Sequence, residues 1–365
     1  MNIKPAEVML RSLLRKGKIA GFVMAAVQGD DRVDAAGGSS GTDGLDLGPR
    51  TLFEIGSVTK TFTGLLLADM VVRGDVALTD PINDHLPDGV RAPGRNEKQI
   101  RFVDLATHTS GLPPMPPNYT RAGPPPLGLT QKLGSLVRPK TALRDYLDRA
   151  AGRYAAFGID ELQDALRETQ LKRDIGVKSK YANYGFGLLG YLLTRIAGMD
   201  YADLVAQRIC LPFGMTDTYS EVPSDHRHRF AQGHAPGRLP VREWQIGPGL
   251  GAAGVIRSTA DDMVRYATAN LRPESSPLEG AVRLAQQMHH ARAKAKRGGV
   301  GLGWQINPPI IWHNGGTGGF GTYLGFRHDT DAAIVILSNS FHGMLRSVDH
   351  AGRTFLNGKR SGDAM

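Results

Sequence analysis

Ser57 and Lys60 lie three residues apart at the start of a long apolar helix that the sequence predicts over Thr61–Val72. Residues at this spacing share one face of a helix, so the hydroxyl and the amine can meet. The positive end of the helix dipole stabilises an alkoxide-like serine and disfavours a charged lysine. The apolar residues Leu65–Leu67 would desolvate the amine and lower its pKa towards that of a general base. The pair could act as an activated nucleophile; alone, a helix-capping serine beside a surface lysine is the commoner explanation.

Two later triplets carry polar groups that such a nucleophile would need. Tyr181–Asn183 (YAN) precedes an amphipathic helix predicted over Phe186–Ala197, where a phenol and an amide could face a cleft. His313–Gly315 (HNG) ends an apolar strand and runs into a glycine-rich turn, which lets a substrate carbonyl approach the backbone closely. Each triplet alone also fits a bland interpretation, a buried tyrosine with a capping asparagine or a strand-end histidine before a turn. The chemical interpretation depends on all three motifs together and in order.

Several other segments match known functional motifs, but the sequence around them does not fit the structure that each motif requires. Gly37–Gly41 satisfies G-x-S-x-G, but no apolar strand leads into it and no helix leaves it, as a nucleophile elbow requires. Gly249–Gly254 and Gly316–Gly321 satisfy G-x-G-x-x-G outside the first strand–turn–helix unit of a dinucleotide-binding fold. The neighbouring histidine pairs lack cysteine or carboxylate ligands at metal spacing. We therefore predict neither a cofactor nor a metal.

The elements that must position the three motifs alternate between strands and helices. The predicted strands lie near both ends of the chain: Gly21–Val27, Gly303–Asn307, Ile310–His313, Gly321–Arg327 and Ala332–Ser338. Helical patterns fill most of the sequence between them, so we predict an α+β fold with an antiparallel sheet flanked by helices. Residues 1–75 and 225–365 would form this sheet domain, and residues 76–224 a mainly helical second domain. Seven prolines in residues 112–128 predict a surface excursion without helix or central strand.

Length and composition limit the class of protein. A chain of 365 residues predicts about two domains. Hydrophobic residues make up 41% and charged residues 22%, which excludes disordered, collagen-like and disulfide-scaffold proteins. The single cysteine, Cys210, cannot form an internal disulfide and is typical of a buried thiol. The formal net charge is +9, but the densest basic run, His289–Arg297, has no interleaved aromatics for base stacking. We predict a solvated helix end or loop there, and no nucleic-acid partner.

The sequence also gives no sign of a membrane or export segment. No stretch approaches the roughly 18 apolar residues of a membrane-spanning helix. The first residues, MNIKPAEVMLRSLLRKGK, contain no apolar signal-peptide core and no small-residue cleavage site. We expect a cytoplasmic protein without a membrane partner; the sequence makes no prediction of an oligomeric state.

From about Ile19 to Asn339 the chain resembles serine β-lactamases and penicillin-binding proteins, in the branch that contains class C β-lactamases, family VIII esterases and D-aminopeptidases. The resemblance rests on segments that occur in the family's order: FEIGSVTKTFTGLLLADMVVRGDVALTDPINDHLP, DLATHTSGLP, YANYGFGLLGYLLTRIAG, LPFGMTDT, AAGVIRSTADDM, HNGGTGGFGTYLGF and VILSN. It implies the β-lactamase/transpeptidase-like fold, with the active site in the cleft between the sheet domain and the helical domain.

The resemblance also implies roles for the three motifs. Ser57 would be the acylated nucleophile, with Lys60 as its partner in proton transfer and Tyr181 as a second acid/base group. Asn183 would bind the substrate amide or orient Lys60. The backbone N–H groups of Ser57 and Gly316 would form the oxyanion hole. The further substrate-binding positions, in place of the family's Lys-Thr-Gly, are His313, Asn314 and Gly315.

Departures from the family pattern concern the substrate more than the mechanism. The lysine of Lys-Thr-Gly supplies a fixed positive charge for a carboxylate, whereas His313 would be largely neutral at pH 7. After HTSGLP, class C β-lactamases carry a glutamine that helps to bind the acylamide side chain; here Pro114 and Met115 follow, and Met115 could line the cleft. The Pro-Gly that usually precedes the tyrosine motif is replaced by IGVK. These changes argue against an antibiotic-resistance enzyme.

We therefore predict a serine hydrolase that forms an acyl-enzyme on Ser57 with small ester or amide substrates, with weak β-lactam hydrolysis. Three alternatives share the same machinery: a transacylase that passes the acyl group to an acceptor other than water, a true class C-like β-lactamase, and a D-amino-acid peptidase. A catalytically silent homologue is the alternative from another class. Such a homologue should have lost a member of the serine, lysine and tyrosine set, and this chain keeps all three.

Overall fold

An antiparallel sheet of eight strands, in the order β2-β1-β12-β11-β10-β9-β8-β7, forms the centre of the fold. The structure is a computed structural model that describes residues 1–121, 139–292, 298–341 and 345–358. Its strands are β1 (Gly21–Gln28), β2 (Asp31–Gly38), β3 (Phe53–Glu54), β4 (His234–Ala235), β5 (Leu239–Pro240), β6 (Arg257–Ser258), β7 (His290–Ala291), β8 (Gly299–Val300), β9 (Gln305–Asn307), β10 (Ile310–Gly316), β11 (Gly321–Arg327) and β12 (Ala332–Ser338).

Helices surround the sheet and fill most of the chain between its two halves. They are α1 (Lys4–Arg15), α2 (Thr59–Arg73), α3 (Phe102–Ala106), α4 (Pro117–Arg121), α5 (Pro139–Ala155), α6 (Ile159–Glu168), α7 (Asn183–Ala197), α8 (Tyr201–Val205), α9 (Ala260–Leu271), α10 (Glu279–Gln286) and α11 (Leu345–Leu356). No helix of the described ranges is long and apolar enough to cross a membrane.

The two faces of the sheet pack against different helices. Successive side chains of a strand point to opposite faces, so the fully buried strand β12 serves two cores at once. Val335 and Leu337 join the larger core with α2, α7 and α9. Ile334 and Ile336 join a smaller core with α1 and α11. The central strands are therefore apolar on both faces, and the candidate active site lies on the side of the larger core.

The predicted α+β class with an antiparallel sheet is confirmed. Strands from both ends of the chain are neighbours: β1 pairs antiparallel with β12 along its whole length. The expected strands 321–327 and 332–338 match β11 and β12 residue for residue. The division into residues 1–75 with 225–365 and residues 76–224 stays a prediction.

Two local predictions need correction. The proline-rich excursion was expected to contain no helix, yet α4 occupies Pro117–Arg121. Proline suits the first position of a helix, where its missing N–H has no partner to lose. The remaining residues 122–128 lie outside the described ranges.

The basic run at 289–297 was expected to be a helix end or loop, but it begins as the edge strand β7. Residues 293–297 lie outside the described ranges.

Candidate active site

Ser57 lies on a short 3-10 helix, Gly56–Val58, that leads into α2. This turn fits tightly against the end of strand β10. A Cβ added at Gly315 would lie 1.9 Å from the carbonyl oxygen of Ile55 and 3.1 Å from the backbone nitrogen of Ser57. A Cβ added at Gly56, where φ is +50°, would lie 2.7 Å from the backbone nitrogen of Gly316. Glycines at this junction therefore let the turn at Ser57 pack directly against the end of β10, next to the two residues whose N–H groups the resemblance assigned to an oxyanion hole.

Lys60 lies one helical turn beyond Ser57 and is fully buried. Its Nζ donates to Ser57 Oγ at 3.0 Å and to the carbonyl oxygen of Ala253 at 2.6 Å. Burial lowers the pKa of Lys60 well below its ordinary value, because the low-dielectric surroundings disfavour the charged amine. A neutral Lys60 has a lone pair within reach of the Ser57 proton, so the pair has the geometry of a nucleophile and its base.

Tyr181 completes this group on the side of α7. Its ring centroid lies 4.8 Å from Lys60 Nζ, and its hydroxyl interacts with Ser57. Although 41% of the residue is exposed, the hydroxyl end is desolvated, which raises the pKa of Tyr181. The hydrogen-bonding interaction with Ser57 acts in the opposite direction. The phenol therefore stays protonated at neutral pH and can donate a proton towards Ser57 and the bond that breaks there.

His313 points from β10 into the same space and is 1% exposed. Its ring centroid is 6.3 Å from that of Tyr181. Burial, and then the proximity of the Lys60 amine, lower the pKa of His313 to about 3. Its Nδ1 lies 2.5 Å from the carbonyl oxygen of Asn314, so Nδ1 must carry the proton of the neutral ring. The buried Nε2, which has no hydrogen-bond partner, is therefore an acceptor.

His108 is a second buried imidazole beside this group, and the sequence reasoning gave it no role. Its ring centroid lies 4.6 Å from that of Tyr181, and burial lowers its pKa well below the ordinary value. His108 Nδ1 accepts from the backbone N–H of Ala182 at 3.2 Å, so the neutral ring carries its proton on Nε2. That Nε2 is also buried without a partner. The position of His108 in the HTSG run of a family segment was the one signal that could have identified it.

Asn183 and Met115 lie together at the opposite side of the cleft. Asn183 begins helix α7, and its Nδ2 contacts Met115 Sδ at 3.5 Å. The hydroxyl of Tyr154, on α5, contacts the same sulfur at 3.8 Å. Asn183 Oδ1 is buried without a hydrogen-bond partner, which leaves it free to accept from a bound group. Met115 therefore packs behind Asn183 and Tyr154, which both line the cleft.

The structure separates Asn314 from the other site residues. Neighbouring residues of a strand face opposite sides of the sheet, so the side chain of Asn314 points away from His313. It donates from Nδ2 to both carboxylate oxygens of Asp349 on α11, at 3.1 and 2.9 Å. Asp349 is largely desolvated there, and its pKa is raised to about 6. A substrate contact of Asn314 stays a prediction, and in this arrangement it would have to come from the backbone.

A small cavity opens directly at Ser57. Its volume is about 30 Å³, room for one or two water molecules. The residues that line it come from both sides of the cleft: Gly56, Ser57, Tyr154, Asn183, Trp244, Ile246, Leu250, Ala253, Gly254, Gly316 and Thr317. Trp244 and Tyr154 belong to no recognisable motif, and sequence reasoning did not find them.

Glu54 is a buried carboxyl group beneath this cavity, three residues before Ser57. Its Oε1 accepts from the backbone N–H of Trp244 at 2.7 Å. Burial raises the pKa of Glu54 to about 7, while the charge of Arg257, the Thr317 hydroxyl and the Trp244 N–H act to lower it. Arg257 gives its hydrogen bonds instead to Glu243, at 3.0 Å, and to backbone carbonyls. Glu54 therefore connects the turn that carries Ser57 with the wall of the cavity.

The arrangement contains the parts of serine acyl transfer. A hydroxyl touches a desolvated amine, a protonated phenol lies beside both, and the turn that carries the hydroxyl packs against Gly315 and Gly316. A carbonyl bound in the cavity would meet the nucleophile on one side and the N–H groups on the other. The fold and the site thus define a serine hydrolase of the class that carries Ser-x-x-Lys on a helix beside an antiparallel sheet.

Comparison with known proteins identifies the family within this class. The family model described as Beta-lactamase matches residues 7–357, and the chain belongs to the beta-lactamase family. A beta-lactamase of Escherichia coli (strain K12) is 25% identical, covering 93% of this chain and 89% of the relative. The D-alanyl-D-alanine-carboxypeptidase/endopeptidase AmpH of the same strain is 28% identical, covering 88% and 80%. The crystal structure of a class C beta lactamase from Rhodobacter sphaeroides superposes with a TM-score of 0.75, at 23% identity, over 97% of this chain and 99% of that chain.

Proposed function

We propose that this protein hydrolyses small uncharged esters or amides through an acyl-enzyme on Ser57. Neutral Lys60 takes the proton of Ser57 Oγ, and the oxygen attacks the substrate carbonyl. The N–H groups of Ser57 and Gly316 hold the oxyanion. As the carbonyl re-forms, the bond to the leaving group breaks and Tyr181 with Lys60 returns the proton to that group. Water, activated by the same groups, then releases the acid and restores Ser57.

The observation that carries the substrate class is the buried, neutral imidazole of His313. A lysine at this position would offer a cation to a substrate carboxylate. His313 instead offers Nε2 as an acceptor, with a pKa of about 3, and so stays uncharged throughout the neutral range. A carboxylate beside this lone pair would lose its hydration without gaining a charged partner there. The site therefore favours uncharged leaving groups over the carboxylate-bearing rings of β-lactams and over peptides ending in a carboxylate.

The size of the cavity at Ser57 supports the same conclusion. Its volume of about 30 Å³ accepts a small acyl group and leaves little room for the bulky acylamino side chain of a penicillin or cephalosporin. We therefore place ester or amide hydrolysis first and expect only weak turnover of β-lactams.

The test compares hydrolysis of p-nitrophenyl acetate and nitrocefin by wild type, Ser57→Ala and the control Ser12→Ala. Ser12 belongs to α1, which packs on the opposite face of the sheet, so its variant should match wild type. We expect Ser57-dependent ester cleavage with a kcat/KM at least tenfold above that for nitrocefin. The reverse ranking would identify a β-lactamase.

A second readout separates an inactive protein from a poor choice of substrate. Incubation with a fluorophosphonate followed by intact mass spectrometry should show one adduct in wild type and none in Ser57→Ala. Labelling without hydrolysis of either reporter would point to an acyl acceptor other than water. The absence of any adduct on a folded wild-type protein would refute the proposed mechanism.

A further inference from the structure

Two aromatic side chains that contact each other line the cavity at Ser57. Tyr154 comes from α5 and Trp244 from the segment that follows β5, and both line the cavity together with Ser57. Their ring centroids are 4.8 Å apart, with an angle of 33° between the ring planes. Because the two rings pack against each other, they form a continuous wall rather than two separate contacts.

The surroundings of Trp244 fix it in place. Its backbone N–H donates to Glu54 Oε1 at 2.7 Å. Its indole edge lies against the turn that follows β10, since a Cβ added at Gly318 would be 2.1 Å from Trp244 Nε1. The indole also packs against a small core of Leu147, Ala235 and Val241. Because both the backbone and the indole of Trp244 are in contact with their surroundings, a change in the side-chain rotamer would displace the turn next to Gly316.

Tyr154 is held from the other side of the cleft. Its ring lies 5.1 Å, centroid to centroid, from that of Tyr119 on α4, and its hydroxyl contacts Met115 Sδ. Its carbonyl oxygen accepts from the backbone N–H of Gly247 at 2.8 Å. The helix that carries Tyr154 is therefore tied to the segment that carries Trp244, and the two rings form one wall.

We propose that Tyr154 and Trp244 are the residues that limit the length of the acyl group, so that the enzyme prefers an acetyl group to longer acyl chains. This inference rests on the proposed function and specifies its acyl side. An acyl carbonyl placed between Ser57 Oγ and the N–H groups directs its carbon chain into the cavity of about 30 Å³. A methyl group fits there, whereas each added methylene must displace a fixed aromatic ring, and close-packed walls resist such a change.

The experiment measures kcat/KM for p-nitrophenyl acetate, butyrate and octanoate, which share one leaving group and differ in the acyl chain. Wild type should prefer acetate to octanoate by at least about a hundredfold. In Trp244→Ala and in Tyr154→Ala the octanoate-to-acetate ratio should rise at least tenfold. The matched control, Tyr154→Phe, keeps the ring and removes only the hydroxyl, so its ratio should stay within about threefold of wild type.

A second variant protects the test against misfolding. Trp244→Phe removes only part of the aromatic ring. It should therefore fold even if Trp244→Ala does not. Its octanoate-to-acetate ratio should rise by a smaller factor than that of the alanine variant. Thermal unfolding and circular dichroism of every variant report whether the fold is intact.

The outcomes distinguish this inference from the proposed function. Wild type that cleaves octanoate as fast as acetate, or folded alanine variants that keep the wild-type ratio, would overturn the inference while ester hydrolysis stands. If wild type cleaves no ester, the proposed function fails, and the inference is tested by labelling Ser57 with methyl and octyl fluorophosphonates. A labelling ratio that favours methyl and collapses in Trp244→Ala would support it; equal labelling of wild type would refute it.

Discussion

The two sides of the cleft around Ser57 are built in different ways. On one side, Ser57, Lys60 and Tyr181 come from short motifs at the starts of helices, and their polar atoms are within hydrogen-bonding or ring contact of one another. On the other side, Tyr154 and Trp244 come from long segments without a motif and meet through ring packing. The first side carries the proposed chemistry and the second the proposed choice of acyl group. We therefore expect that substitutions on one side can change the rate of the reaction without changing the preferred acyl group, and that substitutions on the other side can do the reverse.

The electrostatic character of the two sides differs as well. Burial suppresses the charge on Lys60 and on His313, so the motif side holds neutral bases in a desolvated space. The aromatic side contributes volume and shape. Substitutions of Ser57, Lys60 or Tyr181 should therefore lower turnover of every substrate alike, whereas substitutions on the aromatic side should change the ranking of substrates by acyl group.

The largest effect is expected for Lys60→Met, which removes the base and keeps much of the apolar volume. We expect kcat to fall about 10³-fold, within the range for loss of general acid–base catalysis. The fall should be equal for acetate and butyrate esters. Because burial depresses the pKa of Lys60, wild-type activity should rise with pH as the amine loses its proton, and this limb should vanish in the variant. An unequal fall for the two esters would show that the two sides are coupled.

Gly315→Ala should have the next largest effect. The new Cβ would lie 1.9 Å from the carbonyl oxygen of Ile55, so the turn at Ser57 and the end of β10 must move apart. Displacing an oxyanion-hole donor costs about 10²–10³-fold in kcat. We expect this loss with a small change in KM, measured by steady-state hydrolysis of p-nitrophenyl acetate. As a control, Gly198→Ala, at the C-terminal end of α7, meets nothing within 4 Å and should leave kcat unchanged despite its backbone strain.

Glu54→Gln tests the point where the two sides meet. The pKa of Glu54 is about 7 in the folded protein against 4.5 without burial. The folded state therefore holds this proton more tightly, and the stability it contributes is present below pH 4.5 and lost as the pH rises through 7. The shift corresponds to roughly 3 kcal/mol. Glutamine carries no such proton, so the variant should gain stability relative to wild type between pH 4.5 and 8.

Urea unfolding of wild type and Glu54→Gln at pH 4.5 and at pH 8 measures this gain in the free energy of unfolding. A constant difference in the free energy of unfolding across the pH range would show that the pKa of Glu54 does not change on folding. The substrate preference gives a second readout. Glutamine keeps an oxygen that accepts from the Trp244 N–H, so Trp244 should stay in place. The preference for acetate over octanoate should therefore survive in Glu54→Gln.

The smallest effect is expected for Met115→Leu. Leucine has nearly the volume of methionine, so packing behind Asn183 and Tyr154 is kept, and only the sulfur contacts of 3.5 and 3.8 Å are lost. We expect kcat and KM for p-nitrophenyl acetate within about threefold of wild type. A larger change in the ratio of butyrate to acetate would place Met115 among the residues that determine the acyl group.

Much of this organisation could be predicted from the sequence. The Ser-x-x-Lys spacing at a helix start predicted the contact between Ser57 and Lys60, because helical geometry alone brings such residues together. Alternation along a strand would also have separated His313 from Asn314, since neighbours in a strand face opposite sides. Trp244 and Tyr154 could not be found in this way. Their meeting depends on how α5 crosses the cleft, and no local periodicity encodes that path.

The hydrogen bonds between Asn314 and Asp349 extend the active site beyond the cleft. Helix α11 packs on the outer face of the sheet and holds the strand whose inner face presents His313. The position of that imidazole thus depends on a helix that no substrate touches. In a library screened for altered activity, substitutions in α11 would score as active-site variants although they lie on the far surface. Mapping function by proximity to Ser57 alone would miss them.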